Sequence, residues 1–340
     1  MMTHNRIRNC LGIVLVTATY GTCAPQQTTL PAYSPVAIQS GIIRSWGDDA
    51  MSSTMTAWER AFRIYHPEIT FQDTLLGTAT SMAGIITSTS DLSLMGRPVT
   101  VNEVIGFEWV FRVKPLGIQV MNGSLLAEGK SPALAVFVSR SNPLQQISIS
   151  QLAAILGCPA DSKEPVTWAL AGAPGVWRNK PIHAFLYDNQ TGTGTFLQQA
   201  IQSNKDCWNW EIVREFKDTT RQDGSAYPAA EQIVEALKHD PAGLAISTLA
   251  YADPEIKALP LAGSGAAVPL TRETITSSSY PLARGVYIYI NRGKDKPVDP
   301  KVKEFLRFIL SREGQALVQD QGDYLPLNPT MAQEQWKKLE

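Results

Sequence analysis

The 340-residue sequence is short of the residues from which most metal and nucleophilic centres are made. It holds four cysteines and four histidines, and none falls in a His-Glu-x-x-His or Cys-x-x-Cys spacing, so neither a metal centre nor a cofactor is expected. There is no Gly-x-Ser-x-Gly elbow, and Gly192-Thr193-Gly194 lacks the trailing residues of a dinucleotide or Walker loop. Charge of one sign is missing too. The 30 basic and 31 acidic residues leave a net charge of -1 with no basic run, which argues against a sequence-independent grip on nucleic acid. No internal repeat of short fixed period is visible, and no heptad run.

What the chain does have begins with an export signature. Arg6 and Arg8 precede the apolar stretch Leu11 to Ala18, too short to span a bilayer, and a Thr-, Gln- and Pro-rich segment to about Ile38 reads as a tether or disordered leader. Residues 1–38 are therefore assigned to signal and leader, and the protein to the periplasm or the exterior. Cys23 is a candidate lipid attachment point; ordinary signal cleavage near residues 23 to 26 is the alternative. With Cys10 and Cys23 in the leader, only Cys158 and Cys207 remain in the folded part. In an oxidising compartment two remaining cysteines are expected to pair, the alternative being two separate buried thiols.

The length and a 44% hydrophobic content suit two packed cores. Ile42 to Trp46 reads as a strand, followed by a helix with Met51, Met55, Trp58 and Phe62 on one face and ended by His66-Pro67. Ile69 to Phe71, then Gly77 to Ser81, then a helix carrying Met82, Ile85 and Ile86 repeat the unit, and Asp91 to Met95 is a further strand ending at Gly96-Arg97-Pro98. This alternation predicts an α/β protein of two lobes, each a mixed sheet flanked by helices, with ligand beyond the carboxyl ends of the strands. Lobe 1 is expected over 39–137 and 248–340 and lobe 2 over 138–247, with crossing strands near Val136 to Ser139 and Ala245 to Thr248. Trp168, Trp177, Trp208 and Trp210 are expected to pack the second lobe near the disulfide.

Three strand-to-helix turns set hydroxyls or acids beside glycine: Gly47-Asp48-Asp49, Gly77 to Ser81, and Gly192-Thr193-Gly194-Thr195. The first turn of a helix has unpaired amides and the positive end of its dipole, so three such turns converging would hold a small oxyanion. Singly, each is as well explained by an N-cap worth about 1 kcal/mol, and Asp48 and Asp49 are read as caps. Arg97 could bind an oxyanion through its fork or form an ion pair with Glu103 or Glu108. His183 and Asp188 near Thr193 could form an acid–base pair for a secreted hydrolase, with plain strand-end polar residues as the alternative.

On these residues the chain resembles the phosphate-binding component of bacterial phosphate uptake transporters, a class of two-lobed periplasmic solute-binding proteins. The resemblance covers roughly Ile42 to Leu327. It is carried by Gly47-Asp-Asp-Ala50 with Trp58, Gly77-Thr78, Asp91 to Arg97, Gly192 to Thr195, Phe305 to Gln315 and Tyr324-Leu-Pro-Leu327. It implies a non-enzymatic, monomeric receptor that hands phosphate to the membrane permease of an ABC transporter. Family ligand contacts fall on Asp49, Ala50, Thr78, Gly96, Asn189, Thr193, Gly194 and Thr195, with Arg97 one residue from Gly96. The family's ligand-side aspartate falls on Gly96 and its arginine on Asn189, so both members of its charged pair are absent at those positions. A sensor or interaction module of the same fold, its cleft altered at those two places, is the alternative.

Overall fold

A computed structural model of the protein describes Met1 and residues 29–158, 165–202, 207–294 and 296–340. The signal-like residues from Arg6 to Ala18, Cys10 and Cys23 lie outside the described residues. Among the described residues, no helix is long and apolar enough to cross a membrane.

Two five-stranded sheets organise the chain. In the first, the strands Ile69–Thr74, Gly41–Gly47, Leu92–Met95, Gly285–Ile290 and Leu116–Asn122 lie side by side in that order. The first three run parallel, with Ser45 opposite Leu92, and Gly285–Ile290 is antiparallel to both its neighbours. In the second sheet the order is Ile256–Leu259, Ala135–Ser139, Leu244–Ser247, Ala184–Tyr187 and Val213–Phe216. The central strands are buried on both faces because helices cover them, so they read as continuous apolar runs: Ala135 to Val138 and Leu244 to Ile246 are almost fully shielded.

The first core rests on the helix Ser52–Tyr65. Met55, Trp58 and Phe62, with Met51 just before the helix, form one stripe with no exposed surface. They meet Phe305, Leu306, Phe308 and Ile309 of the helix Pro300–Ile309. Each such side chain stabilises the fold by about 1.5–3 kcal/mol, and the Trp58 indole donates to the Gly314 carbonyl at 2.9 Å. The expected leader is shorter than the composition suggests. Tyr33 is buried, its hydroxyl donates to Glu304 at 2.7 Å, and its amide donates to Glu313 at 2.6 Å. One aromatic with two carboxylate partners is enough to dock a segment that otherwise looks like a tether.

The second core holds Trp168 and Trp208, with Trp177 against its edge. Trp210 departs from expectation: it is 58% exposed. Cys158 and Cys207 form a disulfide, Cα to Cα 5.5 Å, joining the end of the helix Ile149–Leu156 to the segment before Trp208.

Sheet membership moves the crossings. Ala135–Ser139 and Leu244–Ser247 are antiparallel partners inside the second sheet, Val138 opposite Leu244, and Ile256–Leu259 adds a further strand to it. The chain passes between the sheets in residues 123–134 and again before Gly285. There the two connections bind each other, Leu134 donating to the Leu282 carbonyl at 3.2 Å and Gly123 to that of Arg284 at 2.6 Å. Apolar runs look alike whether they cross between lobes or fill a core, which is why the sequence misplaced them.

Candidate binding cleft

A cavity of about 520 Å³ opens between the sheets, with walls from both lobes. Three chain turns reach it. The helix Thr78–Ile86 starts at Gly77, which adopts φ 99°, a left-handed value that favours glycine, and no side chain caps it. Its Thr78 and Ala79 face the cavity, so the first-turn amides remain available.

The second turn opens the helix Gly192–Gln202. Thr191 caps it, its hydroxyl accepting from the Gly194 amide at 3.0 Å. Thr191, Gly192 and Thr193 line the cavity. Gly194 and Thr195 turn away from it. A Cβ on Gly194 would collide with the Asp188 carbonyl, and the Thr195 hydroxyl donates back to the carbonyls of Asn189 (3.0 Å) and Thr191 (2.8 Å). Asn189 is likewise absent from the lining. The surface presented by this turn thus lies two residues earlier than the sequence suggested, because the cap, not the glycine pair, fixes where the helix begins.

At the third turn Asp48 is the cap. Its carboxylate accepts from the Ala50 amide at 3.1 Å, the Gly96 amide at 3.1 Å and the Ser131 hydroxyl at 3.3 Å. The Ala50 amide is therefore already engaged, although Asp49 and Ala50 both border the cavity. Gly96 does not border it: a Cβ there would run into Ser131 and the Asp48 carboxylate. The absence of a side chain at 96 is what admits Asp48.

Arg97 does not reach the cleft. It is buried against Glu103 in a two-pronged pair, both bonds 2.8 Å, and it also donates to the Pro98 carbonyl at 2.9 Å. Burial opposes ionisation of Glu103, but the Arg97 guanidinium outweighs it and holds the carboxyl below its usual range.

The cation in the cleft is Arg284, which the sequence reading missed. It stands on the second connection, just before Gly285–Ile290, and is 2% exposed. Its Nε donates to the Gly96 carbonyl, and Nη1 reaches across the lobes to the Thr193 hydroxyl at 2.9 Å. Nη2 lies beside Gly192 with no hydrogen-bond partner among the described residues. No carboxylate of the described residues forms an ion pair with it. Burial brings its pKa down to about 10, while the Asp48 carboxylate, acting through space, pulls the other way. Lys130, the other cation on the wall, is engaged by Asp323 at 3.0 Å and by Ser53 at 2.9 Å. The available signal was a lone arginine at the mouth of the alternating run Val286 to Ile290.

The lobes touch across this cavity. Besides the Arg284–Thr193 bond, Gln199 donates to the Val99 carbonyl at 3.3 Å, and the Arg284 guanidinium stands 5.4 Å from the Phe196 ring centre. His183 belongs elsewhere: it is 55% side-chain exposed and paired with Asp240 at 2.6 Å, while Asp188 caps Gln190 at 2.9 Å, so no His183–Asp188 pair assembles. Among the described residues, no three His, Cys, Asp or Glu side chains gather as a metal site.

A two-lobed α/β molecule with its polar cleft between the lobes is the architecture of periplasmic-type binding proteins. A family model described as a PBP superfamily domain matches residues 32–313, and the chain belongs to that superfamily. It is 29% identical over 316 residues to a protein of Pseudomonas aeruginosa named phosphate-binding protein PstS, covering 91% of this chain and 90% of the relative. Among solved structures it shares its fold with PstS from Borrelia burgdorferi (TM-score 0.57, 18% identity, 85% of this chain and 99% of the other). An ABC-type phosphate transport receptor from Vibrio cholerae is similar as well (TM-score 0.56, 16% identity, 84% and 100%).

Proposed function

We propose that the protein is an exported solute-binding protein that captures a phosphate-class oxyanion between its lobes and delivers it to the membrane permease of an ABC transporter. It is a receptor, not an enzyme. One observation carries the reading: Arg284 is a buried guanidinium with no carboxylate partner among the described residues, set against the first turn of the helix Gly192–Gln202 at a cavity shared by both lobes. An unpaired buried charge costs several kcal/mol, and a bound anion removes that cost. The relatives named for phosphate binding and phosphate transport supply the ligand class and the permease.

The anion would take charge-assisted bonds from Arg284 and neutral bonds from the Thr78 and Thr193 hydroxyls and the amides of residues 78, 79, 192 and 193. Asp49 and Ala50 would border it, while Gly96, Arg97, Asn189, Gly194 and Thr195 act behind the wall. Because donors come from both lobes, ligand favours the closed state by its differential affinity for it. Residence in the periplasm follows from this role, with ordinary signal cleavage near residues 23 to 26; fatty-acid labelling that disappears in Cys23→Ser would mark Cys23 as a lipid attachment point instead.

Calorimetry on the purified protein with phosphate, arsenate and sulfate tests the reading. Micromolar or tighter binding of a tetrahedral oxyanion, weakened about tenfold by Thr193→Val, is the expected result. Silence across all three would leave the altered-cleft interaction module as the better account.

A further inference from the structure

Asp48 does more than its place at a helix start requires. Capping takes one carboxylate oxygen, and Oδ1 fills that part by accepting from the Ala50 amide at 3.1 Å. Oδ2 is engaged elsewhere. It accepts from the Gly96 amide at 3.1 Å and the Ser131 hydroxyl at 3.3 Å, and the side chain is buried between them.

What Oδ2 holds is the support of the cleft cation. The Nε of Arg284 donates to the Gly96 carbonyl and Nη1 to the Thr193 hydroxyl at 2.9 Å, and a planar guanidinium held at two nitrogens has its third fixed in direction. That third nitrogen is Nη2, beside Gly192 at the cavity. Gly96 lies just past the strand Leu92–Met95, and glycine has the freest backbone of any residue, so its carbonyl keeps its aim only while something holds the residue. Asp48 holds it at the amide. The contacts run unbroken from Ser131 on the first connection through Asp48, Gly96 and Arg284 to Thr193 in the second lobe. Asp49, Glu128, Lys130 and Asp218 border the same cavity, but among the described residues none of them is hydrogen-bonded to Gly96 or to the Arg284 guanidinium.

Charge alone points the other way. Asp48 borders the cavity, and a carboxylate there repels a bound anion, so removing it should tighten binding if its charge were all that mattered.

We infer that Asp48 is a positioning residue of the receptor: through Gly96 it aims the Arg284 fork at the oxyanion. The inference rests on the reading of the cleft as an oxyanion receptor and adds what holds its cation in place.

Calorimetry with inorganic phosphate on the wild type, Asp48→Ser, Arg284→Met and the double variant tests it as a cycle. Asp48→Ser retains a good helix cap for Ala50 while its shorter side chain gives up the Gly96 amide. It is expected to weaken phosphate binding about tenfold, the lower end of what one charge-assisted bond contributes. In the Arg284→Met background, read at millimolar phosphate, the same change should cause no further loss, because no fork remains to be aimed. Ser131→Ala, which takes one donor from Oδ2 and leaves the cap in place, carries the same cycle if Asp48→Ser does not fold; its expected loss is about threefold, again only with Arg284 present. Unchanged or tighter binding in the single variant, or an equal loss in both backgrounds, overturns the inference while phosphate binding by the wild type leaves the receptor reading standing. If the wild type binds none of phosphate, arsenate and sulfate, the receptor reading falls and the inference with it.

Discussion

Replacing Arg284 by methionine should separate ligand binding from folding, with different signs for the two. Without ligand, the arginine is a buried cation held by the Gly96 carbonyl and the Thr193 hydroxyl, neither of them charged. Exchanging a buried charge for an apolar chain of similar length is commonly neutral or stabilising by about 1–4 kcal/mol, against about 1 kcal/mol lost at each orphaned polar partner. The unliganded protein should therefore stay within about 2 kcal/mol of wild type. Binding should suffer far more, because each charge-assisted bond is worth about 1.5–3 kcal/mol, and one in the upper part of that range, about 2.7 kcal/mol, is about a hundredfold in Kd. At phosphate set to 100 times the wild-type Kd, ligand stabilises the native state by about 2.7 kcal/mol; after a hundredfold loss that falls to about 0.4 kcal/mol. At roughly 2 °C per kcal/mol for a chain of this size, the thermal shift shrinks from about 5 °C to under about 1 °C. Arg284→Lys, which keeps the charge but not the fork, should fall between. A full ligand-induced shift in Arg284→Met would refute the assignment of the cleft cation.

Arg97→Ala should do the reverse, costing about 2 kcal/mol of stability in urea unfolding because Glu103 loses its partner, while oxyanion affinity stays within about twofold. Reducing Cys158–Cys207 opens a loop with a sequence separation of 49, which the chain-entropy relation places at about 4 kcal/mol of stability. Differential scanning calorimetry with and without dithiothreitol should show that destabilisation, and an unchanged Tm would contradict it. Burial beside Asp73 pushes Glu59 up to about 8, well above its value in the unfolded chain. The folded state therefore holds a proton that the unfolded state has released, so this contribution to stability is complete below about pH 4.5 and is lost as pH rises toward 8. Glu59→Gln should flatten the fall in Tm between pH 5 and 8, whereas parallel curves for the two proteins would exclude Glu59 as its source.

The sequence by itself determined whatever depends on neighbours along the chain. The 3.6-residue spacing of Met51, Met55, Trp58 and Phe62 fixed a helix and its buried face, and the structure buries all four completely. Glycine and threonine at the starts of two further helices marked where free amides would lie, and the cysteine count in a chain read as exported pointed to the Cys158–Cys207 disulfide. Tertiary structure alone decided which of those groups share a space. Ala135–Ser139 looks the same to local periodicity as a crossing strand or a core strand, and only its pairing with Leu244–Ser247 settles the matter. Thr193 and Thr195 differ by two positions in one turn, yet one faces the cavity and the other locks its own backbone, a difference of about 200° around the helix axis. Two of the cleft's charged groups, Asp48 and Arg284, stand 236 positions apart by their numbers (284 − 48) and are brought together through Gly96. No spacing rule spans that interval, because what joins them is the return of the last sheet strand across the molecule.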